Sequence, residues 1–541
     1  MVKVLSPGRR PESIFPSGSL LLGLAVVVSP GLRSTEIFQA QAHAFVQPPG
    51  EPATHQKGVR AGQIPAASTK GEVPAADDET PAKDEKKGGD QAPGEALADP
   101  SQTQKVSPVE IFKDPNAEEL LNPKKYRPIG NRAPMPDDLE AVRTMAGDSN
   151  AAVDRTLIQR FVDGMVAQLT DPKNIQALIG SPLGSNRATP AAQAIEQATA
   201  NLIEPIYSAR GAQNNRFLNT YNSVLLRSLA PLLKHHLVPR VQAMIILGQT
   251  GNADAFKLFV DEIKNPQQTI WVKLGAIRGI TAIKKNSGAR LTASQDIEAA
   301  RIMADLVSDT HKDVPWPVRL RALEALSYLR QGFVPSAPKS AEMAVAVMGV
   351  LSDPKARSDV RAEAAKALGM MQISSAVSNY NFSLVAHATA QLAAHVGDQI
   401  VANYSETGKP LNVTKADYLT TLLIGPIYQT FEGLPEARES GLLHVGAGVA
   451  RGDVEKVFEP TRPVVRAALE LVRAPTGQLK ARRKDLIDRV AALKEYLAKN
   501  APANHHLVPG DEGFLEEAGA QADEGAAQPA AAQVAGARSG K

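Results

Sequence analysis

The stretch SDVRAEAAKALGMM, from Ser358 to Met371, is the clearest structural signal in this chain. Its apolar side chains recur at helical spacing, so they form one stripe along an α-helix and leave the charged side chains off it. The stripe consists of Val360, Ala364, Ala367, Leu368 and Met371, and the side chains off it are Arg361, Glu363 and Lys366. Because small side chains dominate the stripe, this helix cannot bury enough surface alone and needs close neighbours on several sides.

Variants of this stretch recur upstream at intervals of about 40 residues. The segments are PRVQAMIILG (239–248), VKLGAIRGI (272–280), VRLRALEALS (318–327) and VRAEAAKALG (360–369). Each carries a basic residue three positions before an alanine, and these residues are Arg240, Lys273, Arg319 and Arg361. An apolar helix is predicted before each segment, at 223–233, 253–263, 296–307 and 340–351. Helix pairs that repeat in this way predict an all-α fold, an α-solenoid of stacked antiparallel pairs.

These residues resemble HEAT repeats, in particular the short bacterial subtype that is also found in phycobilisome-lyase-like proteins. The best match is LSDPKARSDVRAEAAKALG, Leu351 to Gly369, in which an Asp of the inter-helix turn precedes Val-Arg and then Ala-Ala-x-Ala-Leu-Gly. The first two units depart from the pattern, because Pro239 replaces the Val and Gly279 replaces the second Ala. The resemblance covers 215–372 and implies a fold, and it says little about function.

The composition agrees with helix packing and excludes several chemistries. The chain has 541 residues, of which 43% are hydrophobic but only 4% aromatic, so its cores must be built from Ala, Leu, Val and Ile. The formal net charge of +3 indicates no particular partner. The sequence contains no cysteine, which excludes disulfides, thiolate zinc sites, iron–sulfur clusters and a cysteine nucleophile.

The N-terminus has the pattern of a signal peptide. Lys3, Arg9 and Arg10 precede an apolar run from Leu20 to Val28, which is too short to span a bilayer. We therefore predict a signal peptide at 1–44 and an extracytoplasmic location, periplasmic or secreted, for the mature protein. The alternative is an incidental apolar run in a disordered leader, which would leave the protein in the cytoplasm.

The rest of the chain divides by composition. Residues 45–107 are rich in Pro, Gly, Ala and charged residues and are predicted to be a disordered linker. An N-terminal strap and helical cap follows at 108–214, then the repeats at 215–372, and then divergent helical repeats or a cap at 373–500. The last helical pair of this part is predicted at 462–471 and 478–499. Residues 501–541 are predicted to be a disordered tail. LIEPIY (202–207) and LIGPIY (423–428) flank the repeats as two proline-bent helices, which are either divergent repeats, matching caps or a chance similarity.

Two sets of residues are candidates for a binding surface. The basic residues Arg240, Lys273, Arg319 and Arg361 could form a ladder for an anionic partner, although in HEAT-like repeats this position typically bonds a neighbouring turn. Trp271 and Trp316 stand at the starts of two second helices, where they either anchor a ligand or peptide or fill the gap between repeats. We favour the structural interpretation for both sets.

The other candidate sites are weaker. The histidine pairs in HHLVP, at 235–239 and again at 505–509, lack the partners and spacing of a metal site. The basic residues that follow Gln478 (Lys480, Arg482, Arg483, Lys484 and Arg489) share an amphipathic helix with Asp485 and Asp488, which is typical of a solvated face. No nucleophile elbow, Walker loop or dinucleotide-binding glycine motif is present, so no catalytic residue, metal or cofactor is predicted.

Together these features predict a non-catalytic, exported scaffold whose solenoid surface binds a protein or peptide. Nucleic acid is not expected as a partner, because export would separate the two. Two alternatives remain open. The first is a lyase-type enzyme or chaperone for a tetrapyrrole-like chromophore, as the resemblance implies, and the second is an intracellular scaffold without a signal peptide.

Overall fold

The computed structural model describes most of the chain between residues 122 and 514. The described ranges are 122, 125–130, 135–180, 189–285, 290–308, 314–333, 341–373, 377, 379–435, 437, 439–445 and 449–514. They all fall within the unit Asn116–Lys541. The predicted signal peptide (1–44) and linker (45–107), and the predicted tail beyond residue 514, lie outside the described residues.

Five helices form the N-terminal part of this unit, the first four within 108–214, where we predict a strap and a helical cap, and the fifth at the start of the predicted repeats. They are α1 (Pro136–Gly147), α2 (Arg155–Thr170), α3 (Pro172–Gly180), α4 (Pro190–Gly211) and α5 (Asn215–Leu229). Polar side chains begin several of them: Asp154 caps α2, Thr189 caps α4 and Asn214 caps α5. Helix α4 is central, because it packs against α1, α2 and α3.

The repeat region consists of helix pairs, as the sequence predicts. After a 3₁₀ turn (Ala230–Lys234) come α6 (Leu237–Thr250), α7 (Phe256–Lys264), α8 (Ile270–Lys285), α9 (Ala293–Val307), α10 (Trp316–Leu329), α11 (Glu342–Ser352) and α12 (Ser358–Met370). The second helices form a continuous row in which α6 packs against α8, α8 against α10, and α10 against α12. Among the described residues no β-strand occurs, only isolated bridges. The predicted all-α architecture of stacked antiparallel helix pairs is therefore confirmed.

The row is closely packed because its contact positions carry small side chains. Ala243, Ala276, Ala322 and Ala364, the repeated alanines, are all fully buried. A Cβ on Gly248 of α6 would lie 3.7 Å from the Cα of Gly279 in α8, which shows how near the two backbones come. The close neighbours that helices with such small side chains need are thus supplied by the adjacent helices of the row.

The C-terminal part changes from pairs to a bundle. It contains α13 (Phe382–Ala402), α14 (Val413–Leu422), a π-helical turn (Leu423–Ile427), α15 (Tyr428–Glu432), α16 (Leu442–Val445), α17 (Val449–Arg473) and α18 (Leu479–Lys499). Helices α13, α17 and α18 pack against one another, and a Cβ on Gly397 of α13 would meet side chains of both Val464 and Val490. Helix α13 also packs against α12, which joins the bundle to the repeats.

Helix α17 is longer than the sequence pattern predicts. The pattern places a helix only at 462–471, whereas α17 begins at Val449 and continues through Pro460 and Pro463. Each proline removes one hydrogen bond to the carbonyl four residues before it. Those carbonyls belong to Lys456 and Glu459, which are both exposed, so water can replace the lost donor.

The two similar hexapeptides adopt different conformations at opposite ends of the row. LIEPIY lies within α4, which stays α-helical through the buried Pro205 and packs against α6. LIGPIY forms the π-helical turn, where Gly425 has non-helical angles (φ −91°, ψ −107°), and this turn packs against α12. Each segment therefore covers one terminal helix of the row, and only the second is sharply bent.

The folded region extends past residue 500, where the composition predicts the start of a disordered tail. Asn381, at the start of α13, donates from its side-chain amide to the carbonyls of Asn504 and His506. Leu507 is fully buried, and its carbonyl accepts from the backbone of Asn381. One apolar side chain and hydrogen bonds to backbone carbonyls thus hold residues near 504–507 against the start of α13.

Candidate binding surfaces

The basic residues of the repeat motif lie where each helix pair is joined. The guanidinium of Arg319 donates to the carbonyl of Val307 (3.0 Å), the last residue of α9, and that of Arg361 donates to Leu351 (2.9 Å) near the end of α11. Arg240 donates to the carbonyl of His235. These bonds satisfy carbonyls that a helix end or turn leaves without a backbone partner. Desolvation lowers the pKa of Arg361, and the nearby Asp353 opposes that shift.

Lys273 occupies the equivalent position on α8. The four basic residues thus share a place in the motif and lie at successive helix junctions. The three arginines are engaged with backbone carbonyls of their own or the preceding turn. These bonds are those expected if the repeated basic position has a structural role.

The two tryptophans have different surroundings. Trp271, at the start of α8, is half-buried, whereas Trp316, at the start of α10, is 46% exposed. The guanidinium carbon of Arg357 lies 4.0 Å from the centroid of the Trp316 ring, which is a cation–π contact. Trp316 is therefore an accessible aromatic side chain with one face held against a cation.

A second exposed aromatic side chain joins this contact. Arg357 donates twice to Asp359, at 3.1 and 3.0 Å, and Tyr418 of α14 is hydrogen-bonded to the same carboxylate. Burial and this hydrogen bond raise the pKa of Tyr418 to about 12, although 43% of the residue is exposed. Trp316, Arg357, Asp359 and Tyr418 are here named the Trp316 cluster.

Sequence reasoning finds Trp316 but misses the other members of the cluster. Arg357 stands in the turn before α12. The nearby Asp359 is the only feature of the local sequence that indicates an interaction for it. Tyr418 lies on α14, far along the chain, and nothing in the repeat pattern points to it. Only the packing of α14 beside α12 brings these side chains together.

A different set of charges lies along the row of second helices. Glu324 of α10 accepts from Arg321 (2.6 Å) and Lys285 (3.4 Å), and the Lys285 ammonium lies 4.4 Å from the Tyr328 ring centroid. Burial raises the pKa of Glu324, but Arg321 and Lys285 outweigh this effect and lower it to about 2. The carboxylate is therefore ionised throughout the physiological range.

Lys366 of α12 belongs to the same charged row. It is only 7% exposed, it donates to Glu363 (3.0 Å), and its ammonium lies 5.9 Å from the Tyr328 ring centroid. The helical pattern of α12 places Lys366 off the apolar stripe, yet α10 covers it. Desolvation lowers the pKa of Lys366, but Glu363 and neighbouring groups raise it overall.

A groove of about 760 Å³ lies between α17 and α18. Four arginines line it: Arg462 and Arg466 from α17, and Arg482 and Arg489 from α18. Arg482 is paired with Glu470 (2.7 Å) and Arg489 with Asp485 (3.3 Å). We name this cleft the arginine groove. Two residues of the predicted solvated basic face, Arg482 and Arg489, therefore form one of its walls.

Three of the four histidines in the two pairs have structural partners. His235 is hydrogen-bonded to the carbonyl of Arg127 (2.8 Å), and His236 caps α6 by accepting from Val238. The Tyr126 ring packs against both imidazoles. His506 pairs with Asp511 (2.7 Å). Within the described ranges no group of His, Asp and Glu side chains could hold a metal ion.

Comparisons add no further assignment. No family model, curated protein or solved structure matches this chain. In the part of the chain that the structure describes, no helix is both long and apolar enough to cross a membrane.

Proposed function

We propose that this chain is a non-catalytic scaffold that binds another protein through the Trp316 cluster. The exposed Trp316 ring, held against Arg357, is the observation that carries the proposal. We also propose that the solenoid is of the HEAT type and that the mature protein acts outside the cytoplasm.

The composition of the cluster supports a protein partner. Trp, Tyr and Arg are the residue types that contribute most to the binding energy of protein interfaces. Trp316 and Tyr418 are both more than 40% exposed, so two aromatic side chains of the cluster are accessible to a partner.

The geometry of the cluster supports tight recognition. Asp359 fixes the Arg357 guanidinium with two hydrogen bonds, and the guanidinium in turn fixes the Trp316 ring. A binding surface that is already ordered loses less side-chain entropy when its partner arrives. The second face of the ring would then accept an apolar or aromatic side chain of an extended protein segment.

A matched pull-down from the native organism tests the proposal. Three full-length forms are compared: the wild type, Trp316→Ala, and Ile487→Ala, which removes a similarly exposed apolar side chain from α18. We expect a specific protein to be retained by the wild type and by Ile487→Ala and lost with Trp316→Ala, while all three melt at similar temperatures. The retained protein must then bind purified wild-type chain at least about tenfold more tightly than it binds Trp316→Ala, as expected for a hot spot.

Two results would refute the proposal. One is the recovery of the same proteins with Trp316→Ala as with the wild type, and the other is the failure of the wild type to retain any specific protein. Export is tested separately by N-terminal sequencing of the mature protein, since a start near Phe45 indicates cleavage and a start at Met1 indicates an intracellular scaffold.

A further inference from the structure

The arginine groove carries a second, independent site. Arg462 and Arg466 are one turn apart on α17, so their side chains lie next to each other on one helix face. Among the described residues neither guanidinium has an ion-pair partner within 4 Å, whereas Arg482 and Arg489 on the opposite wall are both paired. The groove therefore contains one pair of adjacent cations that form no ion pair among the described residues.

Such a pair is unfavourable without a ligand. Like charges one turn apart on a helix repel, and the apolar residues that line the groove beside them, Phe458, Pro463 and Ala467, offer no counter-charge. The one remaining carboxylate of the lining, Glu459, is exposed and forms no ion pair with either arginine within 4 Å. An anion bound between Arg462 and Arg466 would remove the repulsion.

We infer that the arginine groove binds a ligand that carries a phosphate group, with Arg462 and Arg466 as the residues that hold it. Two guanidiniums supply a charge of +2, which matches the charge of a phosphate monoester near neutral pH. Their planar N–H donors also fit phosphate oxygens in pairs. The volume of about 760 Å³ leaves room for an organic group beside the phosphate.

Inorganic pyrophosphate is a suitable probe, and the chain offers a matched control. The test variant is the double substitution Arg462→Gln with Arg466→Gln in the full-length protein. The control is Lys480→Gln with Lys484→Gln, which removes two cations at the same one-turn spacing on α18 but outside the groove lining. Binding is measured by calorimetry at constant ionic strength, with citrate as a carboxylate comparison.

We expect pyrophosphate to bind the wild type and the lysine control equally, and to bind the arginine variant at least about tenfold more weakly, because two charge-assisted contacts are lost. Citrate should bind the wild type more weakly than pyrophosphate. Absence of pyrophosphate binding to the wild type would overturn the inference, as would equal binding to all three proteins.

Two further measurements distinguish a ligand site from a structural role and identify the source of the phosphate. In phosphate-free buffer the arginine variant should be at least as stable as the wild type, since a like-charge repulsion is removed, and a clear loss of stability would contradict the assignment. Vesicles of phosphatidylcholine with and without phosphatidic acid then show whether the groove takes a lipid headgroup or only soluble phosphates. If the wild type binds vesicles that contain phosphatidic acid and the arginine variant does not, the groove binds a lipid headgroup.

Discussion

Replacing Gly369 by alanine should destabilise the protein, whereas the same replacement at Gly248 should stabilise it slightly. The two glycines occupy the same position of the repeat motif, as the last residue of VRAEAAKALG and of PRVQAMIILG. A Cβ on Gly369 would collide with the backbone of α15, because it would lie 2.8 Å from the Cα of Thr430 and closer still to its carbonyl oxygen. A Cβ on Gly248 would lie 3.7 Å from Gly279, which is an ordinary contact.

The magnitude follows from two opposing effects. Alanine in a helix interior is favoured over glycine by about 1 kcal/mol. Overpacking a close contact costs about 1–3 kcal/mol, and here the upper end applies because the opposing group is backbone and cannot rotate away. The hydrogen bond from Gly441 to the Gly369 carbonyl (2.8 Å) further limits how far the neighbouring chain can move. We therefore expect Gly369→Ala to lower the free energy of unfolding by about 2 kcal/mol and Gly248→Ala to raise it by up to about 1 kcal/mol.

Urea denaturation followed by circular dichroism measures both changes. The control is Gly452→Ala. Gly452 is an exposed position of α17 where an added Cβ would meet no atom within 4 Å. The change in stability at this position therefore reports helix propensity alone. Equal midpoints for Gly369→Ala and Gly248→Ala would refute the packing of α15 against α12 on which this reasoning rests.

Three further outcomes are expected. Ala364→Glu should cost several kcal/mol, about 3 or more, because Ala364 is fully buried and the new charge would have no partner; an unchanged melting temperature would contradict the stacked-pair fold. Arg361→Met should cost about 1–2 kcal/mol in chemical denaturation, because it removes the donor to the Leu351 carbonyl, and no loss would show that water replaces this bond. His387 is 3% exposed, and burial, with a smaller contribution from His505, lowers its pKa to about 4. In the unfolded chain the His387 imidazole takes up a proton near pH 6.5, whereas in the folded protein it does so only near pH 4. The contribution of neutral His387 to the free energy of unfolding is therefore fully present above pH 6.5, and it falls by up to about 3 kcal/mol as the pH drops to 4. His387→Leu should have a shallower loss over this range, and an identical pH profile would exclude His387 as its source.

Much of the architecture was predictable because helix periodicity is a local property. The apolar stripe of 358–371 and its upstream variants are visible within a dozen residues each, and every predicted second helix is present as α6, α8, α10 or α12. The contacts of the repeated basic position are likewise local, since Arg319 and Arg361 bond carbonyls only 12 and 10 residues away.

The candidate binding surfaces were less predictable, because they combine residues from separate helices. Trp271 and Trp316 look alike in the sequence, yet one is half-buried and the other exposed with Arg357 on its ring. Tyr418 joins that cluster only because α14 packs beside α12. The arginine groove similarly needs both α17 and α18, and the prolines in α17 conceal how long that helix is.

The sequence by itself thus determined the helices, their pairing and their order along the row, because these follow from the spacing of apolar and small side chains between neighbours. Only the tertiary structure decided which equivalent positions are crowded and which are open. Gly248 and Gly369 illustrate the difference, since one faces another glycine and the other faces the backbone of α15. The physical reason is that a repeat motif specifies contacts to the next repeat, whereas the bundle that ends the row supplies different neighbours.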